Sequence, residues 1–512
     1  MPADLHRQFV RYLPWLLALA GMFLVLRGFG HPGLTWDEPF YIEAGRTYVK
    51  ALTFSDRVAW REAWAVNHEH PPLAKIVYGS AGVLLGDRIG FFADRLPAIV
   101  VYGALILVTY KLVRIHFRPL AAALAAGSLI AMPRVLGHAH LVGLDLPMTL
   151  AWTLAVYAFV RGVCSRRWAV AWGVLLGVAA LVKINAVMLP VVLVPWALLY
   201  HGRRAVPNMV AMAIAPLVFV LGWPWVWPWH HPDFLSRIGD FLSTGSDRFA
   251  VPVHYFGTTY HQYRALPLVT YPLAMTVLTA PVAVSIGAIV GAVRRKEITG
   301  SGRRGVGLYL VVVLGVLAIH SVPGVAKYDG VRLFLPVMPF VAALAGVGLS
   351  RIGRWGARRG RVAAGVLVLL GVVTLAPSVL WNGYGLTYYN ALVGWTRGAD
   401  RLLGMEVSYW GEGLDQEVVD ALRAEAEQRG RPVRVRFVGV GQLVQLYLFS
   451  PDREHPVAIY TRDNDNFDFL VVSNRKARFK TNEPPMTHAD PKNLIYTRRL
   501  FDGTPLVWVY KK

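Results

Sequence analysis

Two adjacent acids, Asp37 and Glu38, follow the first long apolar segment of the chain. Neighbouring carboxylates at the water edge of an apolar bundle can act as a general base or hold a cation, because partial desolvation raises a carboxylate pKa toward the working range. The pair could equally belong to an ordinary polar loop or cap the N-terminus of a helix over 40–51. Spacing alone leaves both interpretations open.

A histidine-containing stretch lies in the same loop and reads Asn67-His68-Glu69-His70-Pro71-Pro72-Leu73-Ala74-Lys75. His68, Glu69 and His70 could ligate a metal. However, histidines at positions i and i+2 of an extended segment point to opposite sides, and nothing fixes a third ligand. We therefore predict no metal site and no firm cofactor, and a divalent cation stays an open alternative.

Charged residues also border later apolar segments. Asp145 begins one such segment, and Lys183 interrupts the apolar run 168–200. An ionisable group is costly to bury there and marks a candidate functional site, although Lys183 could instead extend its amine to the interface. Two more cations lie at the mouth of the bundle in the stretch Lys327-Tyr328-Asp329-Gly330-Val331-Arg332. An arginine there can give the bidentate hydrogen bonds that phosphate oxygens favour.

The elements that must position these residues are long apolar helices. Of the 512 residues, 55% are hydrophobic and 16% are charged, and the mean hydropathy of +0.42 exceeds that of soluble domains. A spanning helix needs about 20 apolar residues. We therefore predict an α-helical polytopic membrane protein with eleven spans, near 10–28, 92–113, 117–133, 144–161, 168–183, 184–200, 206–223, 266–293, 305–322, 331–350 and 362–380.

The basic residues indicate the orientation. The formal charge of +22 could suggest nucleic acid, but Arg and Lys form six short clusters between apolar segments, and all six alternate onto one side. We therefore predict membrane lipids and no nucleic acid as partners, and a cytoplasmic N-terminus. The stretch 73–85 is predicted to be an interfacial helix or a twelfth, half-inserted helix. The predicted outer segments are 29–91, 134–143, 224–265, 323–330 and everything after 380.

The chain changes character after 380. Polar residues return and a helix pattern covers 414–428. Strand patterns cover 433–438, 457–460, 467–472 and 506–510. We therefore predict two domains, a transmembrane catalytic domain over 1–380 and an extracytoplasmic α/β domain over 381–512.

The order of these features resembles the GT-C superfamily of polyprenyl-phosphate-sugar-dependent glycosyltransferases, in particular its protein O-mannosyltransferase-like group. The resemblance covers most of 10–350 and rests on Asp37-Glu38, on His70-Pro-Pro-Leu-Ala-Lys75, on Asp145 and on Gly177-Val-Ala-Ala-Leu-Val-Lys183. Ala74 departs from the glycine of that group's His-Pro-Pro-Leu-Gly-Lys string. The C-terminal layout, with Tyr409-Trp410-Gly411 among its motifs, resembles bacterial members, which include aminoarabinose transferases acting on lipid A.

The resemblance implies an inverting hexosyl- or pentosyltransferase of the bacterial inner membrane. Its donor would be an undecaprenyl- or dolichyl-phosphate sugar, and its acceptor a protein hydroxyl, lipid A or a glycan. Asp37 would be the catalytic base, Glu38 would orient the site or bind acceptor, and Asp145 would hold the acceptor or support the base. A lipid or solute transporter is the alternative, but the ionisable residues gather at one face, which favours an enzyme.

The leaving lipid phosphate of such a reaction needs cations around it. Lys183 and Arg332 are the first candidates for this role, followed by Arg134 and Lys75. The remaining candidates, which would bind the acceptor or shape the site, are His70, Glu69, Tyr328 and Asp329.

Overall fold

The computed structural model describes residues 3–53, 55–227, 233, 236–239, 241, 251–261, 266–439, 458–462, 466–479 and 486–512. The predicted outer segment 224–265 and the predicted strand 457–460 therefore lie partly outside the described residues.

Helices build the N-terminal part of the chain. They are α1 (Ala3–Arg27), α2 (Glu38–Ala51), α3 (Arg57–Ala65), α4 (Leu73–Ile89), α5 (Phe92–Arg114), α6 (Pro119–Ile130), α7 (Pro133–His138), α8 (Asp145–Gly162), α9 (Arg166–Val182), α10 (Met188–His201), α11 (Val206–Ala211) and α12 (Ile214–Gly222). A short hairpin of β1 (Pro252–Tyr255) and β2 (Thr258–His261) comes next along the described chain. The later helices are α13 (Tyr271–Thr279), α14 (Val282–Val293), α15 (Gly300–Ser321), α16 (Met338–Arg358), α17 (Arg361–Leu380), α18 (Trp395–Arg401) and α19 (Gln416–Arg429).

Several of these helices are membrane-spanning in length and composition. Within the described ranges, six segments qualify: Val10–Arg27, Phe92–Arg114, Ile184–Gly222, Gly300–Ser321, Arg332–Arg358 and Arg361–Leu380. The pair α13 and α14, bent by 118°, makes a seventh if it forms one span. The predicted polytopic helical membrane fold is confirmed. Each of the eleven predicted spans contains a helix, while the number of crossings stays a prediction.

The helices α2 and α4 pack in direct backbone contact. A Cβ atom on Gly79 would lie 2.1 Å from the carbonyl carbon of Gly45. Only glycine therefore permits this approach at either position. The contact fixes the loops that precede the two helices, and these loops carry Asp37 and His70. Helix α4 contains the predicted helix 73–85, whose place at the membrane surface stays a prediction.

The C-terminal region contains a five-stranded mixed sheet. Its strands are β3 (Val433–Val438), β4 (Ala458–Tyr460), β5 (Phe469–Ser473), β6 (Leu494–Arg499) and β7 (Pro505–Lys511). The spatial order is β4-β3-β5-β7-β6, with β3 parallel to β4 and β5, and β7 antiparallel to β5 and β6. One hydrophobic cluster continues from the bundle into this region. The domain boundary at 380 stays a prediction.

Candidate active site

Arg332 lies between three carboxylates. Its Nη2 donates a hydrogen bond to Asp37 Oδ2. Its Nε donates to Asp145 Oδ2 at 3.1 Å, and its Nη1 donates to Asp329 Oδ2 at 3.2 Å. The other oxygen of Asp145 accepts from Lys183 Nζ at 2.7 Å. The structure therefore brings these five predicted site residues into one cluster, which we call the Arg332 cluster.

Helix ends carry four members of the Arg332 cluster. Asp37 immediately precedes α2, and Asp145 is the first residue of α8. Both carboxylates thus lie at the positive end of a helix dipole, which stabilises negative charge. Lys183 follows the last residue of α9, where its backbone is extended at φ −160° and ψ 132°. Arg332 begins the 3-10 turn that leads into α16. The charged groups therefore meet at the ends of the apolar helices, and no charge has to lie in the middle of an apolar helix.

Asp37 is the most accessible carboxylate of the cluster. Its side chain is 24% exposed, compared with 3% for Asp145 and 6% for Asp329. An incoming acceptor would therefore reach Asp37 before either of the other two carboxylates.

Glu38 is buried and fully bonded, unlike its neighbour. Its carboxylate accepts from Thr35 N at 2.8 Å and Thr35 Oγ1 at 2.9 Å. It also accepts from Arg95 Nε at 2.8 Å, Arg95 Nη2 at 2.7 Å and Val142 N at 2.9 Å. These contacts combine two local hydrogen bonds from Thr35 with a bidentate ion pair to Arg95. Of the two predicted roles for Glu38, the geometry supports orientation of the loop rather than contact with an acceptor.

Lys75 holds the histidine-containing loop. Its Nζ donates to Asn67 O at 2.6 Å, Asn67 Oδ1 at 3.1 Å and His70 O at 2.7 Å, and it lies 5.2 Å from the centre of the Tyr48 ring. The side chain is buried. In this structure Lys75 is bonded to the loop, and its predicted role as a phosphate ligand stays a prediction.

His70 approaches the Arg332 cluster through Tyr41. The two rings are 6.2 Å apart in an edge contact. Burial, with the nearby cations Lys183, Lys75 and Arg332, lowers the pKa of the His70 imidazole well below its usual value. His70 is therefore neutral at physiological pH and shapes the site as an uncharged ring. The structure leaves Glu69 exposed.

Tyr328 lies over the cluster, with its ring centre 5.8 Å from the Arg332 guanidinium carbon. Burial raises the pKa of the Tyr328 phenol to about 12. Tyr328 therefore keeps its proton and can act as a hydrogen-bond donor at neutral pH.

Arg134 is bonded away from the cluster carboxylates. Its Nε donates to Tyr388 O at 3.0 Å, and its guanidinium carbon lies 4.9 Å and 5.1 Å from the ring centres of Tyr389 and Tyr409. Its Nη2 is buried and has no hydrogen-bond partner in the part of the chain that the structure describes. Arg134 lines a small cavity together with Asp329 and forms no described ion pair with the cluster.

Three residues that the sequence analysis did not select also build the site. Arg95 anchors Glu38. The sequence could have indicated Arg95, because it lies beside Asp94 at the start of an apolar segment, where a charged side chain is costly to bury. Trp410 and Arg475 both donate to Asp329. Trp410 belonged to a recognised motif, whereas no sequence pattern distinguished Arg475.

The three carboxylates of the Arg332 cluster, those of Asp37, Asp145 and Asp329, converge on a guanidinium. Among the described residues, no group of three or more His, Cys, Asp or Glu side chains could hold a metal ion. The described residues therefore provide no ligand set for the divalent cation that the sequence analysis left open.

The solved structures that this chain resembles include ArnT and an archaeal oligosaccharyltransferase. ArnT from Cupriavidus metallidurans, in the apo state, matches over 96% of this chain and 97% of its own, with a TM-score of 0.55 and 17% identity. The same protein bound to undecaprenyl phosphate matches equally well. Archaeal oligosaccharyltransferase AglB from Archaeoglobus fulgidus matches over 91% of this chain and 70% of its own, with a TM-score of 0.53 and 11% identity. The chain has the GT-C fold.

A sequence comparison supports the same assignment. Residues 69–229 match the model of the family described as dolichyl-phosphate-mannose-protein mannosyltransferase. No curated protein sequence matches the chain. The predicted resemblance, the GT-C fold class and the predicted enzyme class, a glycosyltransferase, are confirmed.

Proposed function

We propose that the protein is an inverting glycosyltransferase that moves a sugar from a polyprenyl-phosphate donor to an acceptor at the extracytoplasmic face of a bacterial inner membrane. The observation that carries this proposal is the partly exposed Asp37 carboxylate held against the buried Arg332 guanidinium. The pair places a proton acceptor beside a cation that could receive a leaving phosphate.

In the proposed reaction, the acceptor hydroxyl oxygen attacks the anomeric carbon of the sugar. The bond between that carbon and the phosphate oxygen breaks, and the polyprenyl phosphate leaves with the electron pair. Asp37 takes the hydroxyl proton, a contribution of about 10²–10⁴-fold for general-base catalysis. If the acceptor is itself an ionised phosphate, Asp37 has no proton to remove and acts by positioning and charge.

The cations of the cluster would stabilise the leaving phosphate. Arg332 has five N–H donors, three of which go to Asp37, Asp145 and Asp329. Its other donors, with those of Lys183 that do not contact Asp145, are available to phosphate oxygens. Fixed donors in a buried site stabilise developing charge without reorganisation. Asp145 and Asp329 hold the cations in place.

A polyprenyl phosphate is the ligand that two of the similar structures share. ArnT was solved with undecaprenyl phosphate, and AglB with dolichol-phosphate and an inhibitory peptide. We infer the same class of donor here. The acceptor remains a protein hydroxyl, lipid A or a glycan.

The proposed orientation follows from the six basic clusters on one side of the apolar segments. It places the N-terminus in the cytoplasm and the proposed domain 381–512 outside. A reporter fused after Lys512 should be active only outside the cytoplasm, and a cytoplasmic signal would overturn the orientation.

Turnover of an undecaprenyl-phosphate sugar by the purified protein tests the proposal, with Asp37→Asn as the variant. Asp56→Asn is the matched control, because Asp56 is an exposed acid of the same predicted outer segment, 29–91, whose capping bond to Val58 N an asparagine can keep. We expect Asp37→Asn to lose at least about 100-fold in kcat and the control to retain activity. Wild-type turnover in Asp37→Asn would remove Asp37 from the mechanism.

A further inference from the structure

Asp329 receives hydrogen bonds from three side chains. Arg332 Nη1 and Trp410 Nε1 donate to its Oδ2 at 3.2 Å and 2.8 Å, and Arg475 Nη2 donates to its Oδ1 at 3.0 Å. Asp329 adopts a left-handed backbone with φ 54°. This conformation is uncommon in residues other than glycine, although aspartate adopts it more readily than most.

Two of the three donors come from the C-terminal region, far from Asp329 in sequence. The side chain of Arg475 is only 4% exposed. Its guanidinium is therefore removed from water, and among the described residues it forms its ion pair with Asp329. Truncating one partner of such a buried pair leaves the other charge uncompensated.

Trp410 holds the Arg332 guanidinium as well as Asp329. The guanidinium carbon of Arg332 lies 4.4 Å from the centre of the Trp410 ring, within the range of a cation–π contact. Trp410 therefore restrains Arg332 through its ring and, by way of Asp329, through its indole N–H.

The same C-terminal residues contact the loop that carries Asp37. Trp36 N donates to Trp410 O at 2.9 Å, and the Arg475 guanidinium carbon lies 5.3 Å from the centre of the Trp36 ring. Trp36 immediately precedes Asp37. The C-terminal region thus contacts Arg332 directly and contacts the residue that precedes Asp37, the partner of Arg332.

We propose that Arg475 and Trp410 are positioning residues, which hold Asp329 so that Arg332 points toward Asp37 and the donor phosphate. This inference rests on the proposed function. The C-terminal region completes the active site, and its docking on the bundle sets the geometry of the leaving-group cation. Misplacement of a catalytic group by about 1 Å can cost 100-fold in rate.

Arg475→Gln tests the inference, and Arg478→Gln is its matched control. The Arg478 guanidinium carbon lies 5.6 Å from the centre of the same Trp36 ring, but the described contacts include no hydrogen bond from Arg478 to Asp329. We expect Arg475→Gln to lower kcat about 100-fold with less than a threefold change in the donor KM. Arg475→Lys, which keeps one charged donor, should recover at least tenfold, and Arg478→Gln should stay within twofold of wild type.

A double-mutant cycle separates positioning from a structural role. If Arg475 acts through Asp329, then Arg475→Gln should cost little in an Asp329→Asn background. Each variant is assayed as the folded, monodisperse fraction in detergent. Trp410→Phe, which keeps the ring over Arg332 and removes the N–H donor, should lose less activity than Arg475→Gln.

Each outcome of this experiment is decisive. Independent, multiplicative losses for Arg475→Gln and Asp329→Asn, or an Arg475→Gln variant with wild-type kcat, would overturn the positioning role while wild-type turnover upholds the proposed function. Wild-type protein that turns over no polyprenyl-phosphate sugar would overturn the proposed function and, with it, this inference.

Discussion

Lys183 Nζ donates a 2.7 Å hydrogen bond to Asp145 Oδ1, although the residues are 38 positions apart, Asp145 at the start of α8 and Lys183 just after α9. Both side chains are buried, and Asp145 is also bonded to Arg332. A lysine that could have extended its amine to the membrane interface instead supplies half of a buried ion pair. The positive charge of Lys183 therefore balances the negative charge of Asp145 within the Arg332 cluster.

Breaking this pair should destabilise the protein. Lys183→Met leaves Asp145 with one cation, and loss of one partner from a buried pair typically costs about 3–5 kcal/mol. We expect a clear drop in the thermal unfolding midpoint in detergent. Lys50→Met is the control, since Lys50 is exposed on α2. Equal midpoints for the two variants would show that the pair between Lys183 and Asp145 adds nothing to stability.

The adjacent acids should respond oppositely to amide substitution. Glu38→Gln replaces a buried carboxylate that is bidentate with Arg95, and we expect it to lower the unfolding midpoint sharply. Asp37→Asn removes a partly exposed carboxylate and should lose activity with little loss of stability. Thermal unfolding and turnover are measured on both variants. A stable but inactive Glu38→Gln protein would return Glu38 to a direct role in the reaction.

Asp37→Asn should also bind the lipid product more tightly. The Asp37 carboxylate occupies one donor of Arg332 and repels a phosphate at the same cation. Removing one negative charge near the surface is worth about 1 kcal/mol, or about fivefold in Kd. Binding of undecaprenyl phosphate can be followed by its protection against thermal unfolding. Arg332→Gln should show the reverse effect, and weaker binding by Asp37→Asn would contradict competition between the carboxylate and the phosphate.

Glu406 should contribute a loss of stability as pH rises. Burial raises the pKa of the Glu406 carboxyl to about 8, above its ordinary value of 4.5. Between these values the native state holds a proton that the unfolded state has released, so stability decreases as pH rises through this window and levels off above pH 8. Glu406 accepts from Ala477 N at 2.8 Å, which ties this acid to the C-terminal region.

Glu406→Gln should flatten this dependence, because a glutamine has no proton to release. Unfolding midpoints are measured from pH 5 to pH 8.5 in one detergent. Glu427→Gln, which changes an exposed acid on α19, should keep the wild-type slope. An unchanged slope in Glu406→Gln would assign the pH dependence to other groups.

Local sequence was sufficient for the architecture of the membrane part. A run of about 20 apolar residues can satisfy its backbone in lipid only as a helix, so periodicity and length located helices in all eleven predicted segments. The strand patterns near 433–438, 467–472 and 506–510 likewise correspond to β3, β5 and β7. Strand β6 was missed, since Arg498 and Arg499 interrupt its apolar pattern.

The candidate site was partly predictable for a similar reason. Asp37, Asp145, Lys183 and Arg332 were identified because an ionisable side chain beside an apolar segment is costly to bury and therefore indicates a functional site. The sequence also carried the resemblance that led to the GT-C fold. It therefore determined the class of protein and, with Asp329, all five residues of the Arg332 cluster.

The partners of those residues depended on the tertiary structure. Residue type and spacing could not distinguish Asp37 from Glu38, because their structural difference lies in Arg95 and Val142, which donate hydrogen bonds to Glu38, whereas Asp37 is partly exposed. Nor could the sequence show that Arg475 contacts Asp329, which lies 146 positions away in the chain. Ionic contacts between distant segments follow from helix packing and from docking of the C-terminal region. No local pattern encodes them, so only the folded chain decides which acid is buried, which is accessible, and which cation faces it.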